Sequence, residues 1–115
     1  MSQTLTLPYP PLLNRMYRSY GNRVVKSQAA VDYAEIVFFA ARAMGAVCYP
    51  GNVSVVIDSY RPQKSGDIDA PLKCVLDAME GCFYENDRQI VDLHIRRHDD
   101  KHNPRLEITV TEYVP

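Results

Sequence analysis

Residues 53–95 read VSVVIDSYRPQKSGDIDAPLKCVLDAMEGCFYENDRQIVDLHI, and this stretch decides the fold. Val53, Val55 and Ile57 alternate with Ser54, Val56 and Asp58, a period of two that predicts a strand ending near Tyr60. A polar loop, 61–66, follows. Leu72, Val75, Leu76 and Met79 then recur at i, i+3, i+4 and i+7, which predicts a helix from about Asp69 to Glu80. Pro71 is compatible only with its first turn, and Gly81 is a plausible C-cap. After a loop over 81–88, Val91, Leu93 and Ile95 share one face of a strand spanning Ile90–Arg97.

Working outward, Leu106, Ile108 and Val110 share a face of a final strand, Arg105–Tyr113, reached through the turn cluster DDKHNP. Upstream, Ser27 can cap a helix running to about Met44, with Gly45 as its stop. Ala30, Ala34, Val37, Phe38 and Ala41 form one apolar stripe on it; Tyr33, Ile36, Ala40 and Ala43 form another. A helix apolar on two sides is buried on two sides, which in a small chain points to a partner subunit. Thr4–Leu7 reads as a short strand, stopped by Pro8, Pro10 and Pro11. Residues 12–27 read as a polar, aromatic and basic loop. The expected order is β-α-β-α-β-β, an α/β (α+β) fold in which a mixed sheet carries two packed helices. The 115 residues, 46% hydrophobic, are enough for one core and too few for two ordinary domains, so 1–115 is expected to be a single domain.

The longest apolar stretch, around Ile36–Ala41, is far too short to span a bilayer, and MSQTLTLPYP lacks the pattern of a signal peptide. The expectation is a cytoplasmic protein without membrane contact. Cys48, Cys74 and Cys82 have no metal-binding spacing and read as bystander thiols. The net charge of −1 hides an asymmetry. Residues 1–66 hold seven basic and three acidic side chains, a balance of +4; residues 67–115 hold six and eleven, a balance of −5. An acidic cluster that binds divalent cations loses much of its negative field, so the total does not exclude a polyanionic substrate.

Asp67 and Asp69 stand two apart on the approach to the second helix, a spacing that can aim both carboxylates the same way. Lys73 follows Asp69 by one helical turn. A 12-residue helix is about 18 Å long. The seven residues 81–87 can reach about 23 Å, so the loop can bring Asp87 back to the start of that helix. Hard oxygen donors of this kind suit Mg²⁺, or Mn²⁺ in its place, rather than zinc. Such ions activate water and neutralise a scissile phosphate, and a neighbouring lysine can contact that phosphate. Asp-x-Asp before a helix is equally the mark of a cap and a solvated surface, so spacing leaves both readings open. Asp77 and Glu80 read as surface charges or as ion-pair partners of Lys73.

Longer patterns add to this. L7-P-Y-P-P11 followed by N14-R-M-Y-R18 resembles the opening motif of the RusA family of Holliday junction resolvases. D67-I-D-A-P-L-K73 is similar to that family's D-x-D-N-x-x-K. V75-L-D-A-M-E-G-C-F-Y-E-N-D-R-Q-I-V-D92 is similar to its segment F-D-A-L-x-x-x-G-x-x-x-D-D-x-Q-V-x, and R105-L-E-I-T-V resembles its last strand. The resemblance implies a dimeric, Mg²⁺-dependent enzyme that resolves four-way DNA junctions by paired nicks, in recombination and repair. By position, it makes Asp67, Asp69 and Asp87 metal ligands and Lys73 the essential lysine. The sequence departs from the pattern at Ala70, where the family has Asn, and at Asn86, the first acid of its Asp-Asp pair. Its basic run before the D-x-D is thinner, with only Arg61 and Lys64.

The loop over 12–27 offers Asn14, Arg15, Tyr17, Arg18, Tyr20, Arg23 and Lys26. Basic residues interleaved with aromatics suit phosphate contact and base stacking, and Lys64 and Lys73 extend this set. His94, His98 and His102 recur every four residues but fall on a strand and turn, where they do not converge; they read as surface histidines. Two other functions stay open: a nuclease for another branched DNA such as a flap, and a non-catalytic DNA-binding module.

Overall fold

The computed structural model describes residues 1–11, 17–20, 23–62 and 67–115. Its main sheet has four strands in the order β1-β6-β4-β5, where β1 is Ser2–Pro8, β4 Val53–Arg61, β5 Ile90–Asp99 and β6 Arg105–Glu112. The central β6 is antiparallel to both β1 and β4, while β4 and β5 run parallel. The sheet is therefore mixed, as the sequence implies. Parallel neighbours require a crossover, and α2 (Leu72–Met79) supplies it between β4 and β5.

One face of the sheet is the core. Leu5 and Leu7 of β1, Val53, Val55 and Ile57 of β4, and Leu106, Ile108 and Val110 of β6 pack in one cluster with both helices. Alternation explains why: successive residues of a strand face opposite sides, and β1, β4 and β6 place these apolar residues on one of them. The outer face carries Ser54, Asp58 and Tyr60 from β4 and Glu107, Thr109 and Thr111 from β6, all half-buried. At the edge, β5 follows the pattern less well. A register shift opposite Val53/Ser54 interrupts its pairing, and Val91 and Leu93 are 49% and 40% exposed.

α1 spans Gln28–Met44. The Ser27 hydroxyl accepts from the Ala30 N–H, and Gly45, at φ 67°, ends the helix by donating to Arg42 and Ala41 carbonyls. Only glycine adopts that left-handed conformation without strain. The buried stripe is Ala30, Tyr33, Val37 and Ala41. Tyr33 thus belongs to the core face, where its hydroxyl donates to the Pro8 carbonyl at 2.7 Å. Burial pushes its pKa far up, with the nearby Cys74 adding to the shift. Phe38, expected on the core stripe, is 46% exposed, beside Ile36 at 45% and Phe39 at 65%.

Two further strands, β2 (Tyr17–Tyr20) and β3 (Arg23–Lys26), form a separate antiparallel hairpin within the stretch expected to be a loop. Tyrosine and valine favour extended backbone, and Gly21-Asn22 between them is a two-residue hairpin signal that a reading by charge and polarity overlooks. No helix among the described residues is long and apolar enough to cross a membrane.

Candidate active site

The two aspartates of the D-x-D motif sit in a turn, not in the helix. The Asp67 carbonyl accepts from the Ala70 N–H at 3.1 Å, and the Asp69 carbonyl accepts from Leu72 at 3.0 Å. α2 begins only at Leu72, with Pro71 as its N-cap residue and no side chain capping it. The capping explanation for the aspartates therefore fails: neither carboxylate is spent on a helix end. Both residues are exposed. Lys73 lies one residue into the helix, and its ammonium is 3.3 Å from an Asp77 carboxylate oxygen, the i, i+4 pair its spacing allows.

Asp87 follows this helix, at the start of a separate short turn. The chain after α2 folds back locally: the Cys82 and Phe83 N–H groups donate to the Met79 carbonyl, and Gly81 donates to Tyr84 at 2.7 Å. The Asp87 N–H then donates to the Glu80 carboxylate at 3.2 Å. The Asp87 backbone is thus tied to the first residue after α2, while Asp67 and Asp69 precede the helix in the chain. Among the described residues, no three His, Cys, Asp or Glu side chains are grouped closely enough to hold one metal ion. Tyr84 registers the acids at the carboxyl end. Burial, then the charges of Glu80, Asp87 and Asp77, push its pKa far up, and its hydroxyl donates to the Leu76 carbonyl at 2.7 Å.

The turn that carries Asp87 is tightly specified. Asn86 caps a single turn of 3-10 helix, Asp87–Gln89; its side chain accepts from the Arg88 N–H at 2.9 Å. Gln89 completes the box by accepting from the Asn86 N–H at 2.9 Å. An asparagine caps a helix about as well as an aspartate, which accounts physically for Asn86 in place of the family's acid. The spacing N86-x-x-Q89 is that of a capping box, a signal the sequence reading passed over.

The basic candidates divide. Asn14, Arg15 and Lys64 lie outside the described residues. Tyr17, Arg18, Tyr20, Arg23 and Lys26 are all placed on the β2–β3 hairpin, so the interleaved set rides on paired strands. Arg61 is not a free surface cation. It is 8% exposed at the end of β4, its Nε 2.6 Å from Asp99, and its Nη1 is buried without a hydrogen-bond partner.

Two of the histidines stand beside separate acids. His94 and His98 stand on the outer face of β5, 3.2 Å from Asp92 and 3.0 Å from Asp58. His98 stacks on Tyr60, and Arg105 covers the Tyr60 ring 3.8 Å from its centroid. Arg96 and His98 together hold the Asp58 carboxyl below its ordinary pKa, against the opposing effect of burial. None of the three cysteines is in a disulfide: Cys74 is buried, Cys82 half-buried and Cys48 exposed.

Comparison with known proteins adds identity to this geometry. Residues 8–111 match the family model described as endodeoxyribonuclease RusA, a span that includes every aspartate discussed above. The crossover junction endodeoxyribonuclease RusA of Escherichia coli strain K12 is 30% identical over 95% of this chain and 93% of its own length. The protein of that name from Shigella sonnei is also 30% identical, with the same coverage. That from Enterobacteria phage 82 is 29% identical, over 94% of this chain and 92% of its own.

Proposed function

The chain belongs to the RusA family of endodeoxyribonucleases, and from that premise we propose that it resolves four-way DNA junctions in recombination and repair. It is an enzyme of the nuclease class; the junction substrate is the proposal. The observation that carries it is the likeness to crossover junction endodeoxyribonucleases along nearly the full length of both chains.

The proposed metal ligands are Asp67, Asp69 and Asp87, which in this proposal are drawn together by the ion itself, Mg²⁺ with Mn²⁺ able to replace it. The donor chemistry fits, because three carboxylates offer hard oxygens and no soft ligand stands among them. All three residues are exposed, and none of their carboxylates is engaged in a hydrogen bond among the described residues. A bound divalent ion supplies an activated water and neutralises charge on the scissile phosphate. Lys73, on the first turn of α2, contacts that phosphate in this proposal, and Asp77 holds its ammonium in the meantime. The hairpin residues Tyr17, Arg18, Arg23 and Lys26, with Asn14, Arg15 and Lys64, grip the DNA backbone and stack on distorted bases.

Symmetric nicks in a four-way junction require two active sites, so the proposed working form is a homodimer. Ile36, Phe38 and Phe39 give α1 an exposed apolar face that a second copy would cover. The deciding experiment offers four-way junction, flap and linear duplex in parallel, with and without Mg²⁺. Paired nicks confined to the junction and dependent on the ion support the proposal. Preferential cleavage of flaps would replace it with another branched-DNA nuclease.

A further inference from the structure

Gln89 makes more hydrogen bonds to backbone than any capping role requires. Its Oε1 accepts from the Asn86 N–H at 2.9 Å and from the Glu85 N–H at 2.8 Å. Its Nε2 donates to the Tyr49 carbonyl at 2.7 Å and to the Gly51 carbonyl at 2.6 Å. One side chain thus bolts the turn bearing Asp87 to the segment that enters β4. That segment is itself fixed from its other side. Gln3 of β1 donates to the Val47 carbonyl and accepts from the Val47 N–H, both at 2.8 Å. A second tie, from the Tyr49 N–H to the Phe83 carbonyl at 2.9 Å, joins the same two loops.

We infer that Gln89 is a positioning residue: it sets where the Asp87 carboxylate stands by anchoring its turn to the amino end of β4. This rests on the proposed reading of Asp87 as a metal ligand. The physical reason is that a short 3-10 turn has few internal hydrogen bonds and cannot hold a direction by itself. An amide that uses both its donor and its acceptor on backbone fixes the turn in two directions at once. Groups that orient metal ligands typically change metal affinity by about 10–100-fold when removed.

The test compares Gln89→Leu with Gln3→Leu in the full-length protein. The two changes remove the same kind of side chain from backbone partners on the same segment, but only the first touches the Asp87 turn. Mn²⁺ is titrated, with free ion followed by electron paramagnetic resonance, and amide exchange is read at Glu85 and Asn86. Gln89→Leu is expected to weaken Mn²⁺ binding at least about ten-fold. It should also speed exchange at both amides by about ten-fold, the loss of one shared acceptor. Gln3→Leu should do neither, although it too loosens the loop. Equal losses of Mn²⁺ affinity in both variants would reduce Gln89 to general support and overturn the inference. So would wild-type Mn²⁺ affinity in Gln89→Leu alongside a loss in Asp87→Asn. If Asp87→Asn itself binds Mn²⁺ as the wild type does, the reading of Asp87 as a ligand fails and the inference falls with it.

Discussion

Asn86 shows how one residue can serve structure where its relatives carry a charge. Its side chain accepts from the Arg88 N–H, and its own N–H is satisfied by Gln89. Asn86→Asp should therefore keep the turn, and Asn86→Ala should destabilise the protein by about 1 kcal/mol through loss of the cap. Urea denaturation measures both, and equal stability of Asn86→Ala and wild type would show that the cap is not formed. Ala70 is half-buried in the turn and donates its N–H to the Asp67 carbonyl, a bond that does not depend on its side chain, and nothing in the structure explains alanine there. The residues with the most specific chemistry, Asp67, Asp69, Lys73 and Asp87, were readable from sequence as candidates because their types and spacing are unusual together. The hydrogen bonds around them were not. Sequence spacing gives the reach of a loop but not its hydrogen bonds, such as the one from the Asp87 N–H to the Glu80 carboxylate.

Elements were legible where periodicity met burial. β4 and β6 alternate cleanly and bury Val53, Val55, Ile57, Leu106, Ile108 and Val110 completely. The cap and stop of α1 stand at Ser27 and Gly45, the residues their chemistry indicates. The β2–β3 hairpin was not legible, because its tyrosines and arginines read equally well as a nucleic-acid loop. The edge strand β5 misleads in another way: it has an apolar alternation, yet its place outside β4 leaves Val91 and Leu93 uncovered. This difference has a measurable consequence. Ile57→Ala removes a fully buried side chain and should lower stability by about 2–5 kcal/mol. Val91→Ala, at a position 49% exposed, should change it by about 0.5 kcal/mol or less. Equal effects in chemical denaturation would mean that β5 is covered on that face.

At the scale of the molecule, the covered sheet face accounts for the core, and the outer face of α1 accounts for what is left over. Ile36, Phe38 and Phe39 are too apolar and too close together to be explained as scattered surface residues, with Phe38 and Phe39 in edge-to-face contact at 5.6 Å. If α1 seats a second copy, sedimentation at micromolar concentration should find a dimer, and Phe39→Glu should shift it toward monomer without unfolding the chain. A wild-type monomer would remove the dimer from the account. The near-neutral net charge divides into a basic first part and an acidic remainder, a distribution that suits a nuclease that gathers DNA on one region and ions on another. The central claim is that the D-x-D aspartates carry ion-dependent cleavage of branched DNA. Its most direct measurement is cleavage of a labelled four-way junction by wild type and Asp69→Asn, with Mg²⁺ and with chelator, alongside junction binding. The account predicts paired nicks by the wild type only with Mg²⁺, and an Asp69→Asn protein that binds the junction but leaves it uncut. Cleavage by Asp69→Asn at the wild-type rate, or wild-type cleavage that survives the chelator, would contradict it.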